Sequence, residues 1–214
     1  MSSAVRISDL ADPELTEQQI RLRALAEQFP VTFSVDAILA AARDRTGLDD
    51  FGPDDFRERL DVLCRSVDED TSLAASGRAG VHADFVRYAS NRLLIHDLLT
   101  RHPEIHEVEI TAPIVVAGLP RSGTTHLLNL MAADDRFRSL PYWESCEPVP
   151  MAGDEPTVEG EDPRFTRCRE AWELTDELMP LLKVMHPMTP EHIHEELELM
   201  GPDFASYNLS LIHI

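Results

Sequence analysis

The spacing of apolar residues along the first half of the chain is that of α-helices. Between Ala79 and Leu99, apolar side chains recur at every fourth position and give a helix one apolar face. Shorter amphipathic segments come before it, the first stopping at Pro30 and the second at Gly47. We predict helices over 15–29, 34–42, 54–67 and 79–99. Residues 1–107 are therefore expected to form an all-helical N-terminal region, whose role as lid, substrate-side cap or dimerisation element the pattern leaves open.

The second half begins with an apolar run of the kind found in buried strands. Ile114 to Ala117 is short, β-branched and uninterrupted, which is typical of a strand covered on both faces. Gly118 and Gly123 then bound a loop, and from Thr124 the apolar residues return to helical spacing. A strand, a glycine-containing loop and a helix in this order bring loop N–H groups and a helix N-terminus together around an anion. An anion site is therefore predicted between residues 118 and 125.

A second strand is predicted over 137–142, which would complete a right-handed β-loop-α-β unit. Because ligands of such sheets lie at the carboxyl ends of the strands, the residues just after Tyr142 are expected beside the anion loop. The Pro-, Gly- and acid-rich stretch 147–163 predicts a long loop, either a lid or a solvated surface loop. Helices are predicted to follow over 164–179 and 191–200.

The predicted fold class is thus α/β, with a parallel sheet similar to that of P-loop nucleotide hydrolases, truncated, and preceded by the helical region. The α/β part is assigned to residues 108–208. The loop spacing Gly118-x-x-x-x-Gly123-x-Thr125 nearly matches the phosphate loop of nucleotide hydrolases and kinases. Thr124 stands where those enzymes have the lysine that reaches the outer phosphates, and Arg121 supplies a positive charge in mid-loop. This departure favours an anion other than a nucleoside triphosphate.

The sequence PIVVAGLPRSGTT at 113–125, with FRSL at 137–140 and WE at 143–144, resembles the large bacterial family of sulfotransferases. These enzymes use 3′-phosphoadenosine 5′-phosphosulfate (PAPS) as sulfuryl donor. The resemblance extends from roughly residue 50 to residue 205, and it implies that the loop binds the 5′-phosphosulfate. The implied donor-binding residues are Pro120, Arg121, Ser122, Gly123, Thr124, Thr125 and His126.

The resemblance also implies an acceptor hydroxyl and a base that takes its proton. In related sulfotransferases a Glu or His after the second strand has this role, and here Glu144 follows that strand at a similar interval. We therefore expect Glu144 and Arg121 to be the catalytic residues, with Arg121 stabilising charge by hydrogen bonds. Trp143 is expected either to line the acceptor pocket or to pack in the core.

Metal chemistry is not predicted. His192, His194 and Glu195 form a tempting cluster, but on the predicted helix residues two apart face different sides, and no HExxH set is present. The three cysteines, Cys64, Cys146 and Cys168, are widely spaced and form no CxxC pair, which fits buried thiols in a reducing compartment.

Charge narrows the possible partners. With 19 basic and 39 acidic residues the net charge is −20, which argues against binding to nucleic acid or to an anionic membrane. No apolar run approaches a membrane span, and no signal peptide is recognised, so a cytoplasmic enzyme is expected. Its expected acceptor is a small molecule, lipid or glycan; the oligomeric state is open. The alternative functions are a P-loop nucleotide kinase or NTPase, and a helical interaction protein without catalysis.

The final residues predict a fragment. Leu209 to Ile214 reads as the translation of a sequencing-transposon adapter, so we expect 209–214 to be a non-native tail. Sulfotransferases hold the donor's 3′-phosphate with an Arg and a Ser on a later strand–helix segment, and no such basic loop follows Met200. The chain is therefore expected to lack this half of the donor site, and to bind PAPS poorly and turn over little by itself.

Overall fold

The structure is a computed structural model that describes residues 9, 12–70, 72–119, 122–154, 160–185 and 188–206. Helices dominate these residues. The α-helices are α1 (Glu17–Gln28), α2 (Val35–Thr46), α3 (Phe56–Glu69), α4 (Ala75–Arg101), α5 (Thr124–Ala132), α6 (Tyr142–Cys146), α7 (Pro163–Leu178) and α8 (Leu182–Met185), and 3-10 turns span Pro103–Glu107 and Gly201–Asp203.

Local capping chemistry explains where the first helices begin and end. Thr16 accepts a hydrogen bond from the backbone N–H of Gln19, whose side chain in turn accepts from the backbone N–H of Thr16, a reciprocal capping box for α1. Ser34 caps α2 in the same manner through the N–H of Ala37. Gly47 ends α2 in the left-handed conformation, with φ of 71°. The four helices predicted in the first half are confirmed.

The main hydrophobic core lies between α2, α3 and α4. Phe56 and Phe85 are fully buried there, and Phe204 joins them from far along the chain with ring centroids 6.0 Å from each. Burying a large aromatic side chain stabilises a fold by roughly 2–3 kcal/mol. Phe204 itself has a φ of 51°, so the backbone turns sharply to deliver this ring into the core.

Polar contacts fasten the same distant segment to α4. Arg87 pairs with the buried Glu198 at 2.9 Å, and the hydroxyl of Tyr88 donates to that carboxylate at 3.3 Å. Arg92 donates to the carbonyls of Phe51 and Pro53, and forms an ion pair with Asp203. Residues 198–204 are therefore part of the helical core rather than an appendage.

The predicted strands are not formed within the described ranges. Apart from one isolated antiparallel bridge between Pro141 and Ile193, the described residues hold no β-ladder, so they do not show the expected parallel sheet. The run beginning at Ile114 is extended but uncovered: Ile114 is 59% exposed and Val115 79%. A buried strand needs neighbours that pair its backbone and cover its faces, and no described segment pairs with this one.

Two further predictions about the second half are wrong. The second strand, expected over 137–142, ends in the bridge at Pro141, and α6 begins at Tyr142. The helix expected over 191–200 is replaced by the bridge and turns, because the backbone of 192–194 bonds to residues 140–142 instead of to itself. The helix predicted over 164–179 is confirmed as α7, which the side chain of Asp162 caps.

Candidate functional site

The loop between Gly118 and Gly123 is closed by short hydrogen bonds around a tight turn. The hydroxyl of Ser122 donates to the carbonyl of Leu119 at 2.6 Å, and its backbone N–H donates to the same oxygen at 3.2 Å. A Cβ on Gly118 would lie 2.8 Å from both Ser122 Oγ and Thr124 Cγ2, so only glycine fits there. Pro120 and Arg121, which the sequence assigns to the site, lie outside the described residues.

The N-terminus of α5 is built to leave its first N–H groups available. Gly123, the residue that caps the helix, has a φ of 93° and no side chain, so no side-chain oxygen caps the first turn. Thr124, Thr125 and His126 follow in that turn, with His126 exposed. The four N–H groups that an α-helix leaves unbonded at its start, together with the helix dipole, favour an anion.

Thr125 does not cap the helix but binds an acid from a distant segment. Its hydroxyl donates to a carboxylate oxygen of Glu195 at 2.6 Å. The neighbouring Asn129 fixes the same segment, because its side chain donates to the carbonyl of Ile193 at 3.1 Å and accepts from the N–H of Ile193 at 3.2 Å. Glu195, with 29% of its side chain exposed, is thus held at the first turn of α5.

Sequence reasoning missed this role of Glu195. The helix predicted over 191–200 would spread Glu195 and the two histidines before it over several faces, away from the loop. The backbone here is not helical, and the bridge to Pro141 delivers the carboxylate to Thr125 instead. No group of three His, Cys, Asp or Glu side chains in the described ranges is arranged to hold a metal ion.

Glu144, the base expected from the sequence, occupies the first turn of α6. Its carboxylate pairs with Arg138 at 2.5 Å, and 25% of its side chain is exposed. The contact with Arg138 fixes the orientation of the Glu144 carboxylate at the start of α6. Trp143 packs beside it, with the Arg164 guanidinium 4.8 Å from its ring and Phe165 against its edge, so it is a packing residue of the α6–α7 contact.

A chain of contacts links the anion loop to α6. Glu195 lies 3.4 Å from the ring nitrogen of His194, and the ring of His194 packs edge-on against Tyr142 with centroids 4.8 Å apart. Tyr142 also donates its backbone N–H to the carbonyl of His192 at 2.8 Å. Burial raises the pKa of the Tyr142 hydroxyl, which therefore stays protonated. Thr125, Glu195, His194 and Tyr142 thus form one connected row.

Tyr142 also borders a cavity of about 360 Å³ beside α6 and α7. This volume is within the range of small-molecule sites. Its apolar wall is formed largely by Trp172, Met179 and Leu182. Its basic residues are Arg87, Arg164 and Arg167.

Each of these arginines is matched by an acid, so the cavity carries little excess charge. Arg167 pairs with Asp154 at 2.8 Å and with Glu147, and Arg164 pairs with Asp162 at 2.6 Å. The hydrogen bonds from Arg167 lower the pKa of Asp154 and keep it ionised. A neutral guest with an apolar or aromatic body suits such a wall better than a polyanion does.

Comparisons with known proteins find sulfotransferases. Residues 113–213 match the sequence profile described as the sulfotransferase family. The crystal structure of sulfotransferase STF1 from Mycobacterium tuberculosis H37Rv has a TM-score of 0.65 and 28% sequence identity, covering 82% of this chain and 48% of that one. Sulfotransferase STF9 from Mycobacterium avium has a TM-score of 0.70 and 25% identity, covering 85% of this chain and 46% of that one. Among curated proteins no match is found.

Residues 113–213, just under half of the chain, match the sulfotransferase family, and both solved structures reported above are sulfotransferases. The structural relatives of the chain are bacterial enzymes, which confirms the recognition made from the loop sequence. The chain spans slightly less than half the length of those solved structures. Within the described ranges, no helix is both long enough and apolar enough to cross a lipid bilayer.

Proposed function

We propose that this chain carries the 5′-phosphosulfate site of a cytoplasmic, PAPS-dependent sulfotransferase that acts on a hydroxyl of a small molecule, lipid or glycan. The observation that supports it most is the start of α5: a left-handed glycine, no side-chain cap, and an adjoining loop of sulfotransferase sequence. Together they offer N–H donors to a single anionic group at the point where the family sequence requires one.

The donor's phosphosulfate fits the residues that are present. N–H groups from Gly123 to Thr125 would hold its oxygens, and the guanidinium of Arg121 would add charge-assisted hydrogen bonds. The Ser122 N–H, expected from the sequence to join them, bonds to the Leu119 carbonyl in this structure. The bound donor supplies the sulfuryl group and the phosphate leaving group. Gly118 keeps the loop tight enough for these N–H groups to converge, since any side chain there would meet Ser122 and Thr124. Pro120 and His126 complete the donor-binding residues assigned from the sequence, and the His126 side chain is exposed.

Two carboxylates compete for the role of general base. Glu144 is the residue assigned from the family position, and it pairs with Arg138. Glu195 is the residue that touches the loop, through Thr125. We favour Glu195, because a base must lie within hydrogen-bond reach of the reacting groups and Thr125 belongs to the proposed donor loop. The acceptor hydroxyl would then lie beside Glu195 at the donor loop.

We further propose that the donor's 3′-phosphate is held by residues that this sequence does not include. The relatives are about twice as long, and the apolar run at Ile114 is uncovered here. The whole enzyme would place further strands beside that run, form the expected sheet and supply the second half of the donor site. The 214-residue chain is then expected to bind PAPS weakly.

A nucleotide kinase or NTPase is the competing function, and one experiment separates the two. Backbone amide NMR shifts of the 214-residue chain are followed during titration with PAPS, and separately with ATP and Mg²⁺. We expect PAPS to shift the amides of 122–125 with a dissociation constant weaker than about 10 µM. Arg121→Ala should abolish these shifts, whereas Arg136→Ala, which removes an exposed arginine paired within its own turn, should leave them.

Two outcomes would contradict the proposal. Equal or larger shifts with ATP and Mg²⁺ would favour the nucleotide enzyme, whose loop should respond to a triphosphate. Shifts confined to residues outside 118–126 would remove the donor site from the loop altogether. Binding of PAPS at micromolar or tighter affinity would leave the donor assignment standing but refute the expectation that half of its site is missing.

A further inference from the structure

Two cysteines that are far apart in the sequence have their thiols in contact. Cys146 is the last residue of α6 and Cys168 lies in the second turn of α7. Both side chains border the cavity described above, and the side chain of Cys168 hydrogen-bonds to that of Cys146. The sequence showed no CxxC pair, so only the packing of α6 on α7 brings these two together.

The contact is held from both sides by other interactions. Asn91 and Arg87 of α4 donate to the backbone carbonyl of Cys146 at 2.7 and 3.2 Å, which fixes the end of α6. On the α7 side, Arg164 donates to the carbonyl of Glu147, the residue after Cys146, at 3.0 Å. The end of α6 is therefore anchored to α4 and to the start of α7, which holds the two cysteine-bearing helices against each other.

The surroundings distinguish the two sulfurs chemically. Hydrogen bonds from the Cys168 thiol and the Tyr142 hydroxyl, with the positive charge of Arg87, lower the pKa of Cys146 against the opposing effects of burial and of Glu198. The bond donated to Cys146, with burial and Glu147, raises the pKa of Cys168. Cys146 is thus the nucleophile of the pair and Cys168 the resolving thiol, the arrangement found in cysteines that respond to oxidants.

We propose that Cys146 and Cys168 are a redox modification site that hydrogen peroxide converts to an intramolecular disulfide. The Cys146 thiolate attacks one oxygen of the peroxide, so that an S–O bond forms, the O–O bond breaks and hydroxide leaves. The Cys168 sulfur then attacks Cys146, the S–S bond forms, and the S–O oxygen leaves as water with the proton of Cys168. The sum is two thiols and one peroxide giving one disulfide and two waters.

The cavity supplies the access that this reaction needs. Cys146 is only partly buried, and the space beside it, about 360 Å³, is far larger than a peroxide molecule. Cys64 offers the contrast, because it is 1% exposed inside the helical core and burial raises its pKa to about 11. The product would tie α6 to α7 at the wall of the cavity. This inference does not depend on the sulfotransferase assignment.

The test is peroxide treatment of the reduced 214-residue chain, followed by intact-mass and peptide mass spectrometry. We expect a loss of about 2 Da, a cross-linked peptide pair that contains Cys146 and Cys168, and a fall in titratable thiols, in denaturant, from three to one. Cys64→Ser is the matched control and should still form the cross-link, whereas Cys146→Ser and Cys168→Ser should each abolish it.

The unsubstituted chain decides the question even if a variant fails to fold. Retention of all three thiols at peroxide concentrations that oxidise free cysteine would overturn the proposal. So would addition of oxygen to Cys146 without loss of the Cys168 thiol, or a disulfide between two chains. As a second measurement, a trivalent arsenical that requires two adjacent thiols should bind the reduced chain at one equivalent and should not bind Cys168→Ser.

Discussion

Replacing Glu198 by glutamine tests how far the distant segment 198–204 stabilises the helical core. Glu198 is 7% exposed at its side chain and pairs with Arg87, which is itself 17% exposed. Burial lowers the pKa of Arg87, and Glu198 and other nearby acids raise it. A guanidinium is not deprotonated in proteins, so it stays charged when Glu198 is replaced. Glutamine retains the shape and still accepts from the Tyr88 hydroxyl, so the variant removes the charge and little else.

The expected loss of unfolding free energy in Glu198→Gln depends on which partners Arg87 retains. Removing one partner of a buried ion pair costs about 3–5 kcal/mol when the other charge is left unpaired. Arg87 retains Asp84 at 3.0 Å and the carbonyl of Cys146 at 3.2 Å. Because these contacts remain, we expect a smaller loss of unfolding free energy, about 2–3 kcal/mol. For a chain of this size that corresponds to a fall of about 5–10 °C in the unfolding midpoint.

The measurement is thermal and urea unfolding, followed by circular dichroism at a single pH. Glu196→Gln is the matched control: it makes the same chemical change two residues away on an exposed side chain, and it should shift stability by no more than about 0.5 kcal/mol. Equal midpoints for the two variants would show that the Arg87–Glu198 pair does not stabilise this fold.

Two other perturbations have signs set by the structure. Asp154→Asn should lower the urea midpoint at neutral pH, because Arg167 lowers the pKa of the Asp154 carboxyl. The difference from the unsubstituted chain should persist above about pH 4 and vanish as the pH falls through the lowered pKa. A difference that grows toward acid pH would contradict this prediction. Gly201→Ala should destabilise the fold by about 1–3 kcal/mol, since the new Cβ would lie 2.2 Å from the Tyr88 ring. Gly80→Ala is the control: it lies within α4, its new Cβ would meet open space, and it should stabilise the fold by about 0.5–1 kcal/mol. Similar unfolding midpoints for the two variants would refute the packing at Tyr88.

Helix boundaries in the first half were predictable because their signals are local. Ser34 and Gly47 act through hydrogen bonds and backbone angles within a few residues of themselves, so the sequence around them suffices. The run at Ile114 is the opposite case. Its composition correctly signals a preference for burial between neighbours, but a strand exists only if partners lie beside it, and composition cannot report their presence.

In the candidate site, too, some features depend on local sequence and others on contacts between distant segments. The glycines at 118 and 123 were recognisable from spacing, since a tight loop and a left-handed cap admit little else. Glu195 was not, because its contact with Thr125 depends on a bridge between backbone segments about fifty residues apart. The contact of Cys146 with Cys168 depends likewise on how two helices pack, and spacing along the chain carries no record of it.

The insertion of Phe204 among the aromatic rings of α3 and α4 has a consequence for synthesis of the protein. Since domains fold as they are made, α1 to α4 are complete long before residue 204 has been added. Until then, the space between Phe56 and Phe85 lacks its third ring and the helices are open to solvent there. A polypeptide ending before Gly201 would keep that opening permanently, so the helical half should not be expressed alone without a substitute for Phe204.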